Sequence, residues 1–180
     1  MMSSQWPEIE VDDLVVLLLG APGPSGERGR IEGVTRLEKL VFLIEKERRP
    51  PWLTEQADFI SHNFGPFSAK IYTAVDTLAA AGLVQDSGSL AESTEDAWET
   101  EHVIGERPSD PYATRNFELT ELGRRYYDAL MQELPPTVST ELQEFKARFA
   151  GLPLRQLIRY VYERYPDFTD KSIIRDDVLG

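Results

Sequence analysis

Phe64-Gly-Pro-Phe-Ser-Ala-Lys-Ile-Tyr-Thr-Ala-Val-Asp-Thr-Leu-Ala-Ala-Ala-Gly-Leu-Val84 reads as a turn, a helix, a stop and the start of a strand. Gly65 permits a sharp turn, and Pro66 suits the first helical position, where a backbone N–H would lack an intrahelical partner anyway. Phe67, Ile71, Val75 and Leu78, with Ala74, recur at helical spacing and give that helix one face to bury. Gly82 is placed to end it as a C′ glycine, and Leu83 to Gln85 then run as a strand. Further on, Phe117-Glu-Leu-Thr-Glu-Leu-Gly123 is a strand passing into a helix capped by Thr120, so Leu83–Gln85 and Arg115–Leu119 are expected to pair as an antiparallel ribbon.

What joins these strands is chemically distinct. Residues 86 to 114 hold eight carboxylates against Arg107 alone, −7 of the chain's total of −12. Such length without periodicity predicts a solvated insertion. Trp98 stands among Glu95, Asp96, Glu99 and Glu101, an aromatic with flanking charge. These five are the candidate partner-binding residues.

Outward from the centre, Val11 to Leu19 predicts a short core helix whose preceding carboxylates lie near its positive end. Residues 30 to 49 contain an amphipathic helix with Thr35 as N-cap and Glu38 completing a capping box. Leu37, Leu40, Val41 and Ile44 form its stripe, Arg36 and Lys39 lie on its polar side, and Pro50-Pro51 end it. Lys46, Arg48 and Arg49 gather where cations offset the helix dipole. Asp58 to Asn63 suits a short strand. Downstream, the Thr120 helix continues to Leu134 with Leu122, Tyr126, Ala129 and Leu130 facing inward, and Gly123 within it predicts a close backbone approach. Two further helices follow, Thr137–Phe149 with Val138, Leu142, Phe145 and Phe149, and Pro153–Tyr165 with Leu154, Leu157, Ile158, Val161 and Tyr162. Arg159 and Glu163 are spaced to pair. The C-terminal Phe168 to Ile174 is expected to tuck back onto these helices.

Composition narrows the classes of function. Zero cysteines exclude disulfides and thiolate metal sites, as in a reducing cytoplasm. No apolar run approaches a membrane span and no targeting signal opens the chain, so a cytoplasmic protein is expected. The glycines of residues 20 to 26 lack the Gly-Lys-Ser/Thr of a phosphate loop, and two prolines remove donors such a cradle needs. His62, with only His102 as a second imidazole, reads as structural. No nucleophile elbow or metal-ligand spacing occurs, so neither enzyme, metal nor cofactor is expected.

The succession Gly33-Val-Thr-Arg-Leu-Glu-Lys-Leu-Val-Phe-Leu, Phe64-Gly-Pro-Phe-Ser, Ala81-Gly-Leu-Val and Phe117-Glu-Leu-Thr-Glu-Leu-Gly123 resembles the SocA-like antitoxin or Panacea group of bacterial winged-helix proteins. The closing Tyr162-Glu-Arg-Tyr-Pro-Asp-Phe-Thr-Asp-Lys-Ser172 is similar to its tail. The resemblance implies a mainly α fold with a small antiparallel β-ribbon: a winged helix-turn-helix-like domain over residues 1–134 with its acidic wing insertion at 86–114, and a C-terminal helical extension over 135–180. It also implies gene regulation or toxin neutralisation by protein contact. For a DNA-binding regulator, the candidate contacts are Ser68, Lys70 and Thr73 on the Pro66 helix with Arg36 and Lys39. The alternative is an acidic protein-interaction module that neutralises a toxin or serves as an adaptor, because negative charge repels phosphate and steers basic partners. The amphipathic C-terminal helices also suit a homodimer.

Overall fold

The computed structural model describes residues 7–23, 29–62, 65–90 and 113–169, with residue 179. Among them the chain is mainly helical with a little antiparallel sheet. In order come α1 (Val11–Gly20), β1 (Arg30–Glu32), α2 (Val34–Leu43), β2 (Ile60–His62), β3 (Gly65–Phe67), α3 (Ala69–Ala80), β4 (Val84–Leu90), β5 (Ala113–Leu119), α4 (Glu121–Glu133), α5 (Thr137–Phe149) and α6 (Leu154–Arg164). A wider π turn, Ile44–Arg48, prolongs α2, and a 3-10 turn, Pro166–Phe168, follows α6. No helix among the described residues is long and apolar enough to cross a membrane.

The hub is α1. Every residue from Asp13 to Gly20 is buried, as expected of a helix that is apolar nearly all round. It packs on α2, α3, α4, α5, β1 and β5. Its ends are satisfied by its own capping box and by side chains from elsewhere in the chain, which a buried helix requires. At the start, Asp13 accepts the Glu10 amide at 3.0 Å and Glu55 accepts the Val11 amide at 2.8 Å. At the finish, the buried Lys146 of α5 donates to the Leu18 and Ala21 carbonyls, each at 2.7 Å. This cation sits where the helix dipole favours it.

Beside α1 lies a three-stranded antiparallel sheet in the order β1-β5-β4, with Ile31 opposite Phe117 and Val84 opposite Leu119. All four side chains are buried. The ribbon expected from the sequence is present and longer, running from Val84↔Leu119 to Leu90↔Ala113. Its third strand was not expected. Arg30–Glu32 reads as the approach to a helix, but Gly33 at φ +92 turns the chain between strand and helix. The N-cap of α2 is therefore Gly33, and Thr35 lies buried inside the first turn.

The quoted stretch is also shifted. Gly65–Phe67 forms a hairpin with Ile60–His62, and α3 begins at Ala69 with Ser68 as N-cap. The cause is α2. Glu38 accepts the Ser68 amide at 3.3 Å, and Lys39 donates to the Pro66 carbonyl at 2.9 Å, holding Pro66 extended. The other end is as expected. Gly82 takes φ +77, its amide reaches the Ala79 carbonyl at 3.1 Å, and the Leu83 amide reaches Leu78 at 3.0 Å. This pair of bonds is the Schellman motif.

Helix α4 is rotated from its expected face: Gly123, Tyr127 and Leu130 are buried, while Leu122 is 52% and Tyr126 37% exposed. Its N-terminus sets the phase. Thr120 Oγ1 accepts the Gly123 amide at 3.0 Å and donates to the Gly82 carbonyl at 2.6 Å. Gly123 thereby lies against Leu83, where a Cβ would stand 2.0 Å from the carbonyl oxygen. Helices α5 and α6 bury the expected faces and share one continuous core with α1 and the sheet. Phe42 gathers Phe59, Tyr165 and Phe168 edge-on, with centroids 5.0 to 5.1 Å away, which brings Phe168 back as expected; residues 170 to 174 lie outside the described residues.

Candidate functional site

Three surfaces carry enough chemistry to weigh. The first is the outer face of α3 with the polar side of α2, where the candidate DNA contacts lie. Arg36 donates to the Ala150 carbonyl at 3.2 Å and to Leu152 at 2.5 Å, closing the C-terminus of α5. Lys39 is 0% exposed, with Nζ 3.0 Å from Glu38 Oε1. Ser68 is equally buried, its hydroxyl donating to the Ala57 carbonyl at 2.5 Å. Neither Lys39 nor Ser68 presents an atom to a duplex, which corrects their assignment as surface contacts. Both belong to the network that fixes where α3 begins.

Lys70 is half-exposed and bound on three sides: Asp58 at 2.9 Å, Glu55 at 3.6 Å and the Gln56 carbonyl at 2.9 Å. The hydrogen bond that Lys70 donates to Asp58 leads in raising its pKa, with burial opposing it and the Asp58 and Glu55 charges adding to it. Thr73 is exposed, with Asp76 one turn on and also exposed. Of the five candidates, only Lys70 and Thr73 share an open face, and that face is electrically neutral or acidic.

The second surface is the acidic edge at the start of α1, where Glu10, Asp12, Asp13 and Glu55 meet Tyr126. The Tyr126 hydroxyl donates to Asp13 Oδ1, and burial, then this bond, pushes its pKa upward. Glu10 is raised chiefly by Glu55, and Asp12 by burial, then Asp13 and Glu55, against its own backbone amide. A carboxyl raised on folding binds its proton more tightly in the folded state, so stability falls as pH rises from the ordinary aspartate value through the folded one. Asp12→Asn is therefore expected to stabilise the protein at pH 7 by about 0.5 kcal/mol, the size of a solvent-screened pair, and to lose that gain near pH 3. Urea midpoints at the two pH values measure it; an equal gain at both would assign the effect to something other than charge.

The third surface is basic, at the end of α2, and the sequence shows only part of it. Tyr160 donates to Glu47 at 2.7 Å and accepts from Arg148 at 3.2 Å. The Arg148 guanidinium lies over the Phe149 ring at 4.8 Å, and that of Arg164 over Tyr160 at 4.9 Å. Burial, with Glu47 adding to it, pushes Tyr165 up to about 12. Lys46 covers Phe168 at 5.3 Å. Arg49 closes the π turn in a left-handed conformation, φ 42. Two clefts flank Pro50. One, about 200 Å³, is lined by Ile44, Arg48, Trp52, Leu142 and Phe145; the other, about 270 Å³, by Lys46, Arg49, Leu53 and Gln56.

In sequence, Lys46, Arg48 and Arg49 look like dipole partners of one helix. Arg148, Arg164 and Trp52 join them only through packing, and no local signal connects them. Glu95, Asp96, Trp98, Glu99 and Glu101 lie outside the described residues. Among those described, no group of three or more His, Asp or Glu stands where it could hold a metal ion. No protein-family model, curated protein or solved structure matches the chain.

Proposed function

We propose that the chain is a non-enzymatic, winged-helix-like module that works by binding another protein, as an antitoxin or an adaptor does, and does not read DNA. Supporting the scaffold, a helix passes through a glycine stop into an antiparallel ribbon with a third strand at its edge. The SocA-like or Panacea resemblance of the sequence points the same way. One observation carries the choice of partner. The cations that would meet phosphate on α2 and α3 are already engaged: Lys39 on Glu38 and Pro66 and Arg36 on the end of α5 within the fold, Lys70 on Asp58 and Glu55 at its surface. A protein with a net charge of −12 and a neutralised reading face gains little counterion release from a duplex.

Fluorescence anisotropy of a labelled random-sequence duplex, titrated at low salt, is expected to show no binding. Binding whose affinity falls steeply with salt, as several phosphate contacts require, would overturn the reading.

A further inference from the structure

We infer that the end of α2 is the docking site for an acidic peptide segment of the protein partner, with one apolar side chain seated beside Trp52; this rests on the protein-binding reading above. The chain is strongly acidic, yet here Lys46, Arg48 and Arg49 stand together, with Arg148 one turn along α5 from Phe145. The nearby carboxylates are engaged: Glu45 accepts the Ala57 amide at 3.0 Å and lies 3.8 Å from Lys46, Glu47 takes Tyr160 and Arg164, and Glu141 accepts from the Trp52 indole at 3.4 Å. Arg48 is exposed on the rim of the cleft.

Shape separates a peptide from a nucleic acid. Arg48, with Glu141 beside it, edges a depression whose floor is Ile44, Trp52, Leu142 and Phe145, and a phosphate backbone has no apolar group to fill it. An acidic peptide has both parts, carboxylates for the rim and a side chain for the floor. Across Pro50, the second cleft offers Lys46 and Arg49 to further carboxylates.

The backbone gives a second reason. The π turn closes α2 on a left-handed arginine, where glycine would be unstrained. Arg49 lines the second cleft, its Nε donating to the Lys46 carbonyl at 3.2 Å. Arg49→Gly is accordingly expected to keep or raise the thermal midpoint while weakening the ligand, a combination that a merely structural arginine would not produce.

The test uses the full chain and a labelled, glutamate-rich peptide with one central phenylalanine, read by anisotropy and by the NMR signal of the Trp52 indole. Binding should move that indole, and Arg48→Glu should weaken it about tenfold, roughly 1.4 kcal/mol. Replacing the phenylalanine by serine, or the glutamates by lysines, should abolish it. Equal binding of the lysine peptide, an unmoved indole, or an unaffected Arg48→Glu variant would overturn the docking site. If the peptide fails and duplex DNA also fails to bind, only this site is lost; if duplex binds and Arg48→Glu abolishes that, the protein-binding reading falls with it.

Discussion

Lys39→Met is expected to destabilise the protein by about 3–5 kcal/mol, the scale seen when one member of a buried ion pair is removed. The side chain has no exposed surface, and its ammonium is shared between Glu38 Oε1 at 3.0 Å and the Pro66 carbonyl at 2.9 Å. Methionine matches its length but not its charge. It would leave the Glu38 carboxylate, which also accepts the Ser68 amide, buried without its cation, and would strip the Pro66 carbonyl of its donor. A urea titration gives the magnitude. Its partner experiment is the double variant Glu38→Gln/Lys39→Met, expected to recover much of the loss, because the glutamine oxygen can still accept the Ser68 amide without a buried charge. A loss below about 1 kcal/mol for Lys39→Met, the scale of an exposed pair, would place Lys39 in solvent and restore it as a candidate phosphate contact.

Gly123→Ala is expected to cost about 3 kcal/mol, the upper end of ordinary overpacking. The sign decides between two descriptions of α4. In an isolated helix the change is stabilising by roughly 1 kcal/mol. Here the new Cβ would lie 2.0 Å from the Leu83 carbonyl oxygen, a backbone atom that cannot step aside as a flexible side chain would. Thr120 holds the same corner by its bond to the Gly82 carbonyl, so the helix cannot roll away without losing its cap. Thermal and urea midpoints should both fall; a rise would show that α4 does not rest on the β4 corner and that its buried face is set elsewhere.

The rotation of α4 shows why part of this fold is legible in the sequence and part is not. Leu122, Tyr126, Ala129 and Leu130 satisfy helical spacing, and so do Gly123, Tyr127 and Leu130. Periodicity fixes the period and leaves the phase to whatever the helix touches. For α5 the apolar residues are few and unambiguous, so Val138, Leu142, Phe145 and Phe149 could only be the inner face. Strand β1 is hidden for a related reason: three residues carry no periodicity, and only pairing with Asn116 to Glu118 makes Arg30–Glu32 a strand. The candidate site was less legible still. A lysine or arginine on a helix looks the same in sequence whether it faces water, an ion-pair partner or the carbonyls of another helix.

From sequence alone came the features that depend on near neighbours: the stop at Gly82, the cap at Thr120, the close approach at Gly123, the ribbon, and the inner faces of α5 and α6. The stop, the cap and the helix faces are fixed by backbone sterics or by contacts within a turn or two of chain, while the ribbon and the approach of Gly123 to Leu83 are announced by glycines and by the strand-to-helix pattern but completed by distant pairing. Tertiary structure alone decided which polar groups go inside. Lys39, Lys146 and Arg36 each answer carbonyls more than twenty residues away in sequence, because a packed helix or strand leaves backbone groups that water cannot reach and a distant side chain must satisfy. That demand turns Lys39 and Arg36, expected to face DNA, into internal braces.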